Sequence, residues 1–297
     1  MFALDHPKWS EEGADWPLRA HSDFVSAGGI DWHVQRLGAG PTVLLLHGTA
    51  AATHSWAGLA PLLANDFSVV SLDLPGHGFT GRPPSRALSL PVVADAVAAL
   101  MAGLDVRPEI VIGHSAGGAI AARYAARAPA PPRLLVALNG AFLPFEGPAG
   151  FLFPAAAKML DINPFAAPLF AASARDPKRV ARLIEGTGSD ISPEALARYA
   201  ALIGRSGHVA GALSMMANWD LSRIGDDLKA APQGGVFVAA ENDRAVPLKS
   251  SETAARLAPG GELVRLPGLG HLAHEEDPEA IAALIRERAL RLQIIAP

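Results

Sequence analysis

The stretch Gly113-His114-Ser115-Ala116-Gly117 constrains this chain more than any other. It follows the short apolar run Ile110-Val111-Ile112 and leads into the alanine-rich Ala119-Ile120-Ala121-Ala122, so a buried strand has to become a helix within a few residues. A turn that tight tolerates no side chain where backbone closes on backbone, which is why glycines flank the serine. Ser115 is then pushed out at the end of the sheet, beside the free N–H groups and positive dipole end of a helix, where a developing oxyanion is stabilised. The five residues alone also fit a glycine-rich turn with an incidental serine, and the rest of the chain has to decide.

A nucleophilic serine needs a base, an acid that orients the base, and a second oxyanion donor, each at the end of a different strand. Leu263-Val264-Arg265-Leu266 reads as a strand running into Pro267-Gly268-Leu269-Gly270-His271, a loop that frees His271 to lean toward Ser115. His274, three residues on, is the competing base. Val236-Phe237-Val238-Ala239-Ala240 reads as another strand and ends in Glu241-Asn242-Asp243. Asp243 is the expected acid; Glu241 is the alternative carboxylate, and a plain helix cap is the other use for Asp243. The chain order Ser, Asp, His is that of a triad built on an elbow. Val43-Leu44-Leu45-Leu46 closes on His47-Gly48-Thr49, so the backbone N–H of Thr49 is expected to join that of Ala116 as the oxyanion hole. His47, Asp73 and His77 are expected to fix loops by hydrogen bonds.

With these motifs the chain resembles the α/β-hydrolase superfamily over nearly its whole length. The resemblance implies an α/β fold, a mostly parallel eight-stranded sheet flanked by helices, with a helical cap inserted over the nucleophile. Strand–helix alternation stops after Leu134-Leu135-Val136-Ala137-Leu138 and resumes at Gly235, and the proline-punctuated stretch between takes the cap's place. The expected division is a core over 1–140, a cap over 141–225 and a second part of the core over 226–297. A closer resemblance is carried by Asp15-Trp16-Pro17-Leu18-Arg19, by Ile30-Asp31-Trp32-His33, and by Thr53-His54-Ser55-Trp56. These segments resemble the magnesium-chelatase accessory proteins of bacteriochlorophyll biosynthesis. That resemblance implies a place in magnesium insertion into protoporphyrin, with a porphyrin as candidate ligand and magnesium-chelatase subunits as candidate partners. Ala240 departs from the glycine usual before the acid loop of the superfamily.

Composition narrows the partners further. A net charge of −4 and a pI near 6.2 speak against nucleic acid. The chain has no cysteine and no H-E-x-x-H pattern, so neither a metal nor another cofactor is expected. The charged N-terminal stretch with Asp5, Lys8, Glu11 and Glu12 does not read as a signal peptide. Residues 37–65 lack Asp, Glu, Lys and Arg but are broken by Gly38, Gly40, Pro41, Gly48 and Pro61, short of the roughly 20 apolar residues a span needs. No transmembrane segment and a cytoplasmic site are therefore expected.

The cap region is rich in apolar side chains. Phe142, Phe145, Phe153, Met215, Met216 and Trp219 are expected to wall an apolar substrate pocket as a set, with Phe151, Met159, Phe165 and Phe170 beside them, although each alone fits plain core packing. Lys158, Arg175 and Arg205 are either partners for a substrate carboxylate or solvated charges. Two classes of function follow. One is a serine hydrolase acting on an ester-like or carbon–carbon bond of an apolar small molecule; the other is a carrier that holds a porphyrin without chemistry.

Overall fold

The computed structural model describes residues 4–83, 87–144 and 156–296. Along β3 (Thr42–Leu46), Leu44 and Leu46 pack into one core and Val43 and Leu45 into another, all four without solvent contact. A strand apolar at every position must be covered on both faces. β4 (Ser68–Leu72), β5 (Ile110–His114), β6 (Leu134–Leu138) and β7 (Val236–Ala240) are likewise buried along nearly their whole length, while the more open β8 (Glu262–Leu266) forms one edge. The spatial order is β1-β2-β4-β3-β5-β6-β7-β8. The hairpin of β1 (Ser22–Ala27) and β2 (Ile30–Leu37) is antiparallel and β2 runs antiparallel to β4; every other pairing is parallel. This is the eight-stranded, mostly parallel sheet that the sequence implies.

Two helical layers complete the sandwich. On one face α2 (Leu90–Gly103), α3 (Ala116–Arg127), α9 (Ile224–Lys229) and α10 (Leu248–Leu257) bury Val93, Ile120, Leu228 and Ala254 against Leu44 and Leu46. On the other, α1 (Leu59–Leu63) and α12 (Pro278–Arg291) bury Leu59, Leu63, Ile281 and Ile285 against Val43 and Leu45. A short α11 (Ala273–Glu276) precedes α12.

Between β6 and β7 the described residues form helices: α4 (156–162), α5 (Ala166–Ser173), α6 (Pro177–Gly186), α7 (Pro193–Ile203) and α8 (Ser206–Ala217). Proline begins α6 and α7, where its missing N–H costs nothing, and Asp176 and Ser192 cap them by accepting from the N–H of Lys178 and Ala195. Among the described residues no helix is long and apolar enough to cross a membrane.

The N-terminal arm straps this helical layer to the core. Trp16 donates from Nε1 to Thr53 Oγ1 at 3.0 Å and packs edge-on to Phe79 and His54. Arg198 of α7 grips both oxygens of Asp15 at 2.6 and 2.8 Å. Arg205, between α7 and α8, reaches Asp5, Glu11 and Glu12. Its guanidinium is engaged by the arm's own carboxylates, so it is neither a solvated charge nor a partner for a ligand carboxylate.

Candidate active site

Ser115 sits at φ 52°, ψ −118°, a conformation that costs an ordinary residue about 1–3 kcal/mol and is held by its surroundings. A Cβ on Gly113 would stand 2.1 Å from the Gly117 carbonyl oxygen, and one on Gly117 would stand 2.1 Å from that of Leu46. Both glycines are therefore obligatory. The Ser115 N–H donates to Leu138 O, and its own carbonyl accepts from Gly118 and Ala141, all at 3.0 Å. Ala116 opens α3, so its N–H lies outside the helical ladder.

The loop after β3 comes right up to this turn. A Cβ on Gly48 would lie 3.0 Å from Ser115 Cβ and from His114 Nδ1, which puts Thr49 beside the serine. Two contacts from α8 hold that loop: Thr49 Oγ1 donates to Met215 Sδ at 3.3 Å, and His208 Nε2 donates to the carbonyl of Ala50 at 3.1 Å. His208 Nδ1 accepts from Gly78 N, which fixes the ring as neutral, and burial lowers its pKa to about 4. His47 accepts from Leu74 N at Nε2 and donates from Nδ1 to Gly48 O. Asp73 takes His33 Nδ1 and the N–H groups of Thr53 and Phe79. Burial works against that carboxylate, yet the His33 ring and these donors hold its pKa well below the usual range.

His271 and Asp243 meet across the ends of β8 and β7. The 2.8 Å contact of His271 Nδ1 with Asp243 Oδ2 places the proton on Nδ1 and leaves Nε2 as an acceptor. Asp243 Oδ1 takes the N–H groups of Ala245 and Val246 at 2.7 and 2.9 Å, so the carboxylate is fixed by three donors. The alternatives are placed elsewhere. His274 is fully buried with Nε2 2.8 Å from Ser55 Oγ, and burial first, then the His271 ring, lowers its pKa to about 3. Glu241 points to solvent.

The sheet and helices that carry these loops are similar to known proteins. The alpha/beta hydrolase family matches residues 43–284. The chain belongs to that family. The magnesium-chelatase 30 kDa subunit of Rhodobacter capsulatus is 39% identical to it over 274 residues, covering 92% of this chain and 95% of that protein. Among solved structures, an α/β-hydrolase-fold protein from Burkholderia ambifaria superposes with a TM-score of 0.75 at 26% identity, over 89% of this chain and 97% of the other. A lipase-like protein from Acinetobacter baumannii shares the fold with a TM-score of 0.74 at 20% identity, over 92% and 91% of the two chains.

Within this hydrolase-family framework several supporting residues carry no sequence motif. Asn139, at φ 48° just past β6, donates from Nδ2 to the carbonyls of Gly270 at 3.1 Å and His271 at 2.8 Å, while its Oδ1 accepts from Ala240 N. One buried amide thus ties the end of β6 to the end of β7 and to the His271 loop. His114 donates from Nε2 to the same His271 carbonyl at 2.9 Å, and burial above all, then the rings of His274 and His271, keeps it neutral. The turn after α6 touches both loops as well: Thr187 O accepts from Arg244 N, and Ser189 Oγ accepts from Leu272 N at 2.8 Å. A Cβ on Gly188 would stand 1.9 Å from Asn242 O, and one on Gly270 would stand 2.2 Å from Gly188 O. The only sequence cue to Asn139 is a polar residue ending an apolar strand.

The expected pocket wall is scattered. Phe142 is core, edge-on to Phe237 at 5.7 Å, where the Ser250 hydroxyl of α10 accepts from Phe142 N and donates to Gly140 O. Met215 is buried in the same core and meets Thr49; Trp219 is half-buried against it. Met216 packs between α5 and α8. Phe145, Phe151 and Phe153 lie outside the described residues. Met159, Phe165 and Phe170 are exposed. A cavity of about 320 Å³ lies instead between α2, α3 and α9, lined by Arg123, Arg127, Arg223 and Asp227 among others, and shares no residue with the His271–Asp243 pair. Among the described residues no group of three or more His, Asp or Glu side chains is arranged to hold a metal ion.

Proposed function

We propose that this chain is a serine hydrolase of an apolar small molecule that serves magnesium insertion into a porphyrin. The observation that carries the chemistry is the bond from His271 Nδ1 to Asp243 Oδ2, since it fixes the tautomer in which Nε2 accepts a proton. In this reading Ser115 Oγ attacks the substrate carbonyl as His271 takes its proton, and the N–H groups of Thr49 and Ala116 bind the oxyanion. The histidine returns the proton to the leaving group, and a water activated by the same nitrogen frees the serine. Asp243 stabilises the imidazolium throughout. Met215, buried in the core, accepts from Thr49 Oγ1 and so steadies the loop that would supply one oxyanion donor.

The role rests on the likeness to the Rhodobacter capsulatus magnesium-chelatase 30 kDa subunit over 92% of this chain. Its chelatase subunits are then the candidate partners. Labelling with a fluorophosphonate and peptide mass spectrometry tests the chemistry: an adduct on Ser115 is expected, and none under conditions that label an ordinary esterase defeats it. For the role, Ser115→Ala is expected to leave a pigment-producing host as short of bacteriochlorophyll as a full deletion does. Full pigment in the Ser115→Ala strain would leave a carrier, and full pigment in the deletion strain would remove the pathway.

A further inference from the structure

The outer face of the cap carries bulky apolar side chains that neither the core nor the active site uses. α5 reads Ala-Ala-Pro-Leu-Phe-Ala-Ala-Ser, apolar nearly all round, and a helix of that kind needs apolar company on both sides. It turns Ala166, Ala167 and Ala171 toward Val209 and Leu213 of α8. The large residues are left outside: Leu169 is 68% exposed and Phe170 47%. On α4, Met159 and Ile162, one turn apart, are 70% and 72% exposed, and Phe165 in the connecting turn is also open. Five of the eight exposed large apolar side chains among the described residues fall within 159–170, a concentration that marks a binding surface and not a scatter of single residues.

Charge along the segment that carries these side chains runs opposite to the charge of the molecule. Residues 156–186 hold five basic residues (Lys158, Arg175, Lys178, Arg179 and Arg182) against three acidic ones (Asp161, Asp176 and Glu185), net +2 in a chain of net −4. All five cations are exposed. α6 buries Val180 and Ile184 and turns Lys178, Arg179, Arg182 and Leu183 outward. We propose that this face of the cap docks on an anionic lipid bilayer, its apolar side chains entering the boundary between headgroups and acyl chains and its cations meeting the headgroups. An anionic plane attracts this side of the molecule and repels the remainder, which fixes the orientation of docking. A second copy fits poorly, because a two-fold contact would set the basic segment against itself. The proposal is independent of whether Ser115 is a nucleophile.

Flotation of the full chain with phosphatidylcholine vesicles, with and without phosphatidylglycerol, tests it. The chain is expected to float with the anionic vesicles and to be released by salt. Leu169→Ser with Phe170→Ser should cut the bound fraction about tenfold, and Arg179→Glu with Arg182→Glu should abolish the preference for phosphatidylglycerol. Because the chain has no cysteine, Leu169→Cys gives a single labelling point in an otherwise unaltered protein. An environment-sensitive dye there should shift to the blue on adding anionic vesicles. An unshifted dye, flotation that ignores both double variants, or absence of flotation overturns the proposal. So does a dimer in size-exclusion chromatography that Leu169→Ser with Phe170→Ser dissolves, since a second copy would then be the occupant.

Discussion

The base loop and the outer face of the cap handle polarity in opposite ways. Around the His271 backbone polar groups are buried and paired: Asn139 and His114 share its carbonyl, Ser189 takes the next N–H, and Glu276 accepts from Gly270 N. On α4 and α5 apolar groups are exposed while alanines fill the contact with α8. The first arrangement restricts one ring to one orientation at the expense of desolvating many dipoles. The second adds nothing to folding, since a large side chain outside and a methyl inside is the reverse of what packing favours. A region whose polarity pattern is costly and whose backbone groups are paired is holding geometry, and one whose pattern is costly and uncovered is waiting for something to cover it.

The largest effect that would break this contrast is at the nucleophile. Ser115→Ala should lower hydrolytic turnover of an activated ester by about 10³-fold or more while leaving the melting temperature within a few degrees. Turnover that survives would mean that Ser115 is not the nucleophile. Asn139→Leu comes next. It strips a donor from two buried carbonyls and an acceptor from Ala240 N, so chemical denaturation should show a loss of about 3 kcal/mol. Turnover of the folded fraction should fall by about 10²-fold through misplacement of His271, and undiminished turnover would show that the amide is structural only.

The pH dependence of stability sharpens the same point. Burial raises the Glu275 pKa to about 7, against hydrogen bonds from Tyr199 and Ser55 that favour the charge. A carboxyl whose folded pKa exceeds its unfolded value binds more protons when folded, so its contribution is full below about pH 4.5 and is lost as pH rises through 7. Glu275→Gln should therefore gain about 3 kcal/mol relative to the parent between those limits, measured as urea midpoints across pH. A difference independent of pH would show that the carboxyl is not shielded. His54, His274 and His208 act in the other direction. Burial lowers their pKa values to about 3, 3 and 4, so their contribution is complete above pH 6.5 and is lost on acidification, by about 1.4 kcal/mol per pH unit for each.

The smallest effect belongs to the cap's outer face. Leu169→Ala should change stability by less than about 0.5 kcal/mol, whereas Leu213→Ala, on the face α8 turns to α5, should cost about 2–4 kcal/mol. Equal losses would mean that α5 is buried on both sides in solution.

The same contrast explains what could be read before any coordinates. The strands, the elbow and the positions of Asp243 and His271 follow from apolar runs that end in glycine or a carboxylate, because a strand buried on both faces leaves few other readings. The cap resists that logic. Where alanine does the packing, hydropathy does not say which side of a helix is inside, so Phe165 and Phe170 read as pocket wall although they face out. Phe142 reads as cap because it follows the last strand before the insertion, yet it turns back into the core. Asn139 was invisible because its partners are backbone atoms 101 to 132 residues away, which leave no mark in composition or spacing.

The backbone crossing at Gly188 and Gly270 has a mechanical consequence. Thr187, Gly188 and Ser189 meet the acid loop through Arg244 N and Asn242 O and the base loop through Gly270 and Leu272 N. Lifting the turn after α6 away from the sheet would pull on the loops of Asp243 and His271 together. That helical layer therefore cannot swing there as a free door: its hinge line runs through the loops of Asp243 and His271, and an opening wide enough to break that seam would, if the proposed chemistry holds, part the pair so that water met a disarmed site.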